Sequence, residues 1–374
     1  MTTTTIITAG SAAEFLSLLP RMLGFRPRRS LVLVPFARAR TLGAMRLDLP
    51  GGDTDDIEAY AATCVGMVCR VASADSVALV VFDDAPFDVD GTPPRDELAR
   101  ALVSKADACG LGIVDALCVA ADGWASFVRP ELAPRSLAEL AIDPSGAERL
   151  AEPDGDQWSG SELPQVDETD AASVESALVA LADAVVVLCS DAGVLDESTR
   201  VDPRALDAAV ALDDLPALFE AMLAWDASQL DPYDAATAAW CLSRPALRDI
   251  ALVGWTAGPE RGDEALTAQL RWEKGEPYPA ELAQVMWGEG VQPEPSRLLD
   301  ALAVVRAVAA LAPESHRAGP LAVCAWLSWA LGRSTHAESY AKRAVEVEPE
   351  HGLAEIVLSF VTAAHLPDWA FSRP

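Results

Sequence analysis

Seven arginines and no acid lie between Phe15 and Leu47: Arg21, Arg26, Arg28, Arg29, Arg38, Arg40 and Arg46. A guanidinium donates in a planar fork that fits phosphate or carboxylate, so the chemistry this block offers is anion binding. Arg26, Arg28 and Arg29 fall in a loop, Gly24 to Ser30, just ahead of an apolar strand, where a ligand could reach them. The opposite charge comes later. From Leu150 to Thr199 there are twelve acids and no base. The block therefore has two readings. It is an anion site for a nucleotide, a phosphorylated metabolite or an acidic partner, or it is screened by the protein's own acidic segment. Arg46 and Asp48 stand two apart on a strand and share a face. They either pair within the sheet or point into a site.

Asp83, Asp84 and Asp122 are a second group. Each follows a predicted strand, and in open α/β sheets ligands bind beyond the carboxyl ends of the strands. Carboxylates there are candidates to hold Mg2+, although aspartate is also a common turn residue. Other chemistry has no residues to run on. No phosphate-binding G-x-x-x-x-G-K-[ST], dinucleotide G-x-G-x-x-G between strand and helix, or G-x-S-x-G elbow occurs. The four histidines, His316, His336, His351 and His365, are all near the C-terminus and lack metal-ligand spacing. A Ser–His or Cys–His triad within the first half is excluded. No catalytic motif is found and no cofactor is implied.

These residues need elements to position them. Residues 12–23 read as a helix stopped at Gly24, followed by an apolar strand at 31–36 and an alternating one at 42–49, close enough for a hairpin. Asp53 to Asp56 offer a helix cap. Strands at 76–82, 113–120 and 124–128 alternate with helices at about 56–71 and 92–108, which predicts an α/β domain with a mixed sheet over 1–150. Residues 151–200 turn to Pro, Gly, Ser and acid and read as a linker with one helix at about 171–182. The stretch 184–190 is open between strand and helix. After Val201 the period is helical, giving an all-α domain over 201–374. Within it, Gly332, Ala337, Tyr340, Ala344 and Pro349 sit at the offsets of a tetratricopeptide-like helical hairpin spanning 318–351.

The run Leu18 to Val34, with Arg46 to Pro50 after it, resembles an actinobacterial family known only as a domain of unknown function, number four-one-nine-two. Three later stretches are similar to it in the same order: Asp122 to Phe127, Leu247 to Ala251, and Ala325 to Gly332. Where relatives tend to carry cysteines after the Trp-containing strand, this chain has Val128 to Leu132. A metal or redox role built on those cysteines therefore does not transfer. The resemblance implies a bacterial cytosolic protein and brings no activity with it.

Composition narrows the partners. The chain of 374 residues is 51% hydrophobic, enough for two cores. Its formal charge of −29 repels phosphate backbones and anionic lipid, so nucleic acid is disfavoured as a partner. The apolar runs at 177–189 and 321–331 are shorter than the ~20 residues that span a bilayer, so no membrane role is expected. The start lacks the pattern of a secretory leader. Seven scattered cysteines without C-x-x-C suit reduced thiols in a cytoplasmic protein. The expectation is a non-catalytic interaction or regulatory protein working through its helical half. The alternative is a small-molecule (anionic or nucleotide) binder or enzyme using the arginine loop and the strand-end aspartates.

Overall fold

The computed structural model describes residues 8–51, 56–129, 133–141, 144–150, 152–190 and 201–371. Asp53 to Asp55 lie outside them, as do 130–132. The chain forms two compact units, Met1–Ser159 and Gly160–Ser372.

The first unit begins with α1, Ala12–Leu23. Ser11 caps it, accepting from the Glu14 amide, while the Glu14 carboxylate takes the Gly10 amide at 2.6 Å. Gly24 ends it at a φ of 81° that few other residues hold. The strands are β1 Ser30–Ala37, β2 Arg40–Thr41, β3 Met45–Asp48, β4 Ser76–Phe82, β5 Gly112–Val119 and β6 Trp124–Ser126. Two helices, α2 Ile57–Arg70 and α3 Asp96–Ala108, lead into β4 and out of it. Asp56 caps α2 through the Ala59 amide. β1 folds back on β2 and β3 as the expected hairpin and pairs antiparallel with β4 on its other side. β4 and β5 are parallel, and β6 returns antiparallel, so the sheet is mixed.

β1 is buried on both faces, which is why it reads as an unbroken apolar run. Leu31 and Leu33 pack with α2 and α3 through Val65, Val68, Leu98 and Leu102. Val32 and Val34 pack on the opposite face with Leu16 and Leu19 of α1. The result is three layers, helix–sheet–helix.

The second unit is all-α. Its helices are α4 Glu168–Cys189, α5 Pro203–Val210, α6 Leu215–Met222, α7 Pro232–Leu242, α8 Pro245–Ala257, α9 Pro259–Trp272, α10 Ala280–Met286, α11 Pro295–Leu311, α12 Glu314–Ala330, α13 Ser334–Val347 and α14 Gly352–Thr362. Aspartate followed by proline starts α5 and α7, the acid capping and the imine fitting the first turn. The stretch 184–190, open in sequence, continues α4. This makes α4 long and apolar enough to cross a membrane by length and composition, contrary to the reading of a run that is too short. In this unit its inner side, Val174, Ala177, Leu178, Leu181 and Ala184, is buried.

α12 and α13 pack as a hairpin. Ala337, Tyr340 and Ala344 are buried in it, and Gly332 turns the chain at a φ of 74°. α12 starts at Glu314 and runs through Pro320, although the sequence reading starts a helix at that proline. Proline cannot donate to the carbonyl four residues back. That carbonyl, of His316, lies 3.3 Å from the Ser243 hydroxyl, whose shorter bond, 2.7 Å, is to the Ala239 carbonyl of α7. Next to it, Gly319 lets α12 touch the end of α7, since a Cβ there would lie 2.4 Å from the Leu242 carbonyl oxygen.

Gly319→Ala is therefore expected to cost about 1–3 kcal/mol in urea unfolding. Gly352→Ala is the control. It sits in open space in the first turn of α14 and is expected to be neutral or stabilising by a few tenths of a kcal/mol. Equal effects from the two would contradict this account of the α7–α12 contact.

Candidate functional site

Strand register collects the candidate residues at one end of the sheet. Ser30 of β1 is opposite Asp48 of β3 on one side and Phe82 of β4 on the other, and Phe82 is opposite Val119 of β5. Arg28 and Arg29 enter β1 there. Asp83 and Asp84 leave β4 there, and Asp122 follows β5 at the same end. The Asp83 amide donates to the Val119 carbonyl at 3.0 Å, which ties two of these exits together.

Each side chain has a definite place. Arg46 donates Nε to the Ser30 hydroxyl at 2.7 Å and a terminal nitrogen to Asp48 Oδ1 at 2.5 Å. The Arg46 side chain is nearly buried, whereas Asp48 is exposed. Arg28 reaches Asp84 at 3.5 Å, with both side chains more than half exposed. Asp122 Oδ1 accepts the Phe87 amide at 3.0 Å. Asp83 Oδ1 accepts the Ala85 amide, and Oδ2 accepts Arg95 Nε at 2.8 Å.

Arg95 is the site residue that sequence reasoning missed. It precedes α3, and its second contact is with the Pro50 carbonyl at 3.3 Å. No local spacing marks it; only the register of β4 brings Asp83 within reach. Arg29 and Arg95 both adopt positive φ, 44° and 65°. Such backbone is costly for a residue with a Cβ and persists where the surroundings fix it. Burial pushes the Asp83 carboxyl up, but the Arg95 guanidinium and Ala85 amide outweigh it, with Arg29 adding to them, and hold it below its ordinary value. Burial, with the charges of Asp83 and Asp122, pushes the Cys118 thiol up to about 12, so it is not a nucleophile near neutral pH.

The arginine loop is occupied largely by its own chain. Arg21 binds Glu152 at 2.5 Å. Arg26 donates to the Pro153 carbonyl at 3.1 Å, and its amide donates to the Gly155 carbonyl at 3.0 Å. The backbone of Arg28 is clamped by buried Gln157, which accepts its amide at 3.0 Å and donates to its carbonyl at 2.7 Å. Arg29 remains exposed. No group of three or more possible metal ligands occurs among the described residues, and Asp83, Asp84 and Asp122 are engaged as stated. The sheet end is thus a set of charge pairs at a strained edge, with no nucleophile–base pair among the described residues.

Fold and site together define an α/β unit with a charge-paired sheet end, followed by an all-α unit. The chain belongs to the family described as Domain of unknown function (DUF4192), which matches residues 13–368, nearly its whole length. No curated protein and no solved structure matches it.

The Asp83 side chain is only 9% exposed, so Arg95→Met takes the guanidinium partner from a largely buried carboxylate and leaves it the Ala85 amide. A loss of about 1–3 kcal/mol is expected. Because the folded Asp83 value is depressed, its stabilisation is present above the unfolded carboxylate value of about 4 and is lost as pH falls through the lower folded value. The stability gap between wild type and Asp83→Asn should therefore shrink in urea unfolding as pH is lowered from about 7 to about 3. A gap that stays constant over that range would contradict the pairing.

Proposed function

We propose that this protein is a non-catalytic interaction protein whose all-α unit presents the surface for a protein partner. The outer face of α4 carries the reading. Val179 and Val186 are 61% and 62% exposed there, seven residues apart. Ala172, Glu175, Ala182 and Cys189 complete an exposed stripe at alternating spacings of three and four. That is the period at which one helix seats a second. Monomeric proteins seldom leave a repeated apolar stripe open to water, and one left open marks an interaction face. The sheet end argues in the same direction, since its arginines are spent on the protein's own acids and carbonyls and offer little to a small anion.

The test is capture of partners from the host cytosol by tagged full-length protein, alongside Val179→Glu/Val186→Glu. The expected result is loss of a specific partner in the variant with an unchanged melting temperature, because both side chains face water. In parallel, thermal shift is run against nucleotides, phosphorylated metabolites and divalent metals. A stabilising small ligand abolished by Arg28→Ala/Arg29→Ala would overturn the proposal in favour of a binder or enzyme. A ligand present at a hundred times its dissociation constant stabilises by about 2.7 kcal/mol, a readable shift.

A further inference from the structure

Two exposed cysteines end neighbouring helices. Cys69 is the last residue but one of α2, and Cys109 is the first residue after α3. Cys189 of α4 is also exposed, and the other four cysteines of the chain are buried. Topology brings the first two together. β3 and β4 both run antiparallel to β1, so they share a direction, as do β4 and β5. α2 joins the first of these pairs and α3 the second, and both helices pack on the same face of the sheet. They therefore return side by side against the strands and end together where β4 and β5 begin.

Local contacts tighten this. Ser76 of β4 is opposite Gly112 of β5, and the Gly112 amide donates to the Asp75 carbonyl at 3.0 Å, so the turn after α2 is bonded to the turn after α3. Val68 beside Cys69, and Ala106 and Leu111 on either side of Cys109, are buried in one core. Glu58 and Lys105 pair across the two helices at 2.7 Å, which marks the faces that meet. About three turns carry that face of α2 from Glu58 to Cys69, and about one turn carries that of α3 from Lys105 to Cys109. The long lysine stem, leaning toward the start of its helix, covers the difference in rise. At the ends of the helices the thiols meet. Partial burial, and the hydrogen bond that Cys69 donates to the Cys109 sulfur, hold the Cys69 thiol above its ordinary value.

We propose that Cys69 and Cys109 are a site of reversible covalent modification, closing to a disulfide by exchange with a low-molecular-weight disulfide. One cysteine, as thiolate, attacks a sulfur of the small disulfide. That S–S bond breaks, a mixed disulfide forms on the protein, and the departing thiolate takes a proton. The second cysteine, as thiolate, attacks the protein sulfur of the mixed disulfide and expels the other small thiolate, which is also protonated. Two electrons and two protons thus pass from the protein pair to two small thiols, and no further oxidant is needed. A disulfide holds its two Cα atoms about 4.4–6.8 Å apart, and both positions lie at helix ends, the parts of a helix that adjust most readily. In a reducing compartment the bridge opens again when the small-thiol pool is reduced. The site lies in the first unit and stands independently of the outer face of α4.

The probe is oxidised glutathione, incubated with the full-length protein in buffer and in urea. Free thiols are then alkylated and the cysteines read by peptide mapping in a mass spectrometer. In buffer, wild type is expected to give a Cys69–Cys109 linked peptide pair, lighter by two hydrogens than the two reduced peptides and separated by dithiothreitol. Cys69→Ser and Cys109→Ser are each expected to stop at the mixed disulfide, with glutathione retained on the cysteine that remains. Cys189→Ser is expected to close the bridge as wild type does. Circular dichroism establishes that each variant is folded, which the exposure of all three side chains favours. The proposal is overturned by wild-type protein in which Cys69 and Cys109 both stay reduced or each keep a separate glutathione, or by a linked pair of other cysteines in place of this one. Linkage that forms in urea and not in buffer also overturns it, since the pairing would then owe nothing to the fold.

Discussion

Scarcity of positive charge governs this molecule. With 28 lysines and arginines against 57 acids, each cation has carboxylates to choose from, and where it settles is informative. In the first unit the choice is local and dense. Arg21, Arg28, Arg46 and Arg95 each hold a carboxylate, and Arg26 holds a carbonyl. In the second, Arg297 takes Glu220 through two parallel bonds of 2.8 and 2.6 Å and also reaches the Gly254 carbonyl near the end of α8. That one guanidinium joins α6, α8 and α11. Exposed pairs contribute little to stability, but a bidentate pair that also takes a helix-end carbonyl fixes geometry.

Beneath the charges, burial sets the architecture. β1 alternates its side chains between two helical layers, and its register with β3 and β4 decides which loops meet at the sheet end. A shift of one residue would exchange Leu31 and Leu33 with Val32 and Val34 between the two cores and separate Arg46 from Ser30. The site pairs are consequences of apolar packing, not its cause. The all-α unit follows the same logic with different parts. Trp255, Trp326 and Trp329 are fully buried, and each indole N–H donates to a main-chain carbonyl, of Phe219, Met286 and His365. A buried aromatic with its polar atom satisfied fixes how neighbouring helices pack.

Much of this was legible because local signals and tertiary packing agree. Asp231 and Pro232 announce α7, Gly24 stops α1, and the apolar run of β1 marks a strand covered on both sides. Legibility failed where a distant partner decides. Pro320 reads as a helix start, yet α12 begins at Glu314, where the turn before the proline packs through Gly319 against the end of α7. Val185 to Val187 suit strand or helix, and burial of Leu181 and Ala184 settles them as helix. At the sheet end, the loop arginines and strand-end aspartates were visible as types. Arg95 was not, because nothing within a few residues of it foretells the β4 register that delivers Asp83. The acidic segment was visible as charge, but its main-chain pairing with Arg26 and Arg28 depends on Gln157 and Gly155, which carry no charge at all.

The two arginine groups thus differ in a way composition cannot reveal. The N-terminal group looked the more ligand-ready, being a dense block in a loop. In the fold its loop is bound along its main chain by residues 153–157, and an incoming anion would have to compete with bonds already made. The group around Tyr340 is dispersed over α11 and α13 and was inconspicuous in sequence. There the chain supplies carbonyl oxygens to Arg306 and to the Tyr340 hydroxyl, which accept hydrogen bonds but bring no negative charge.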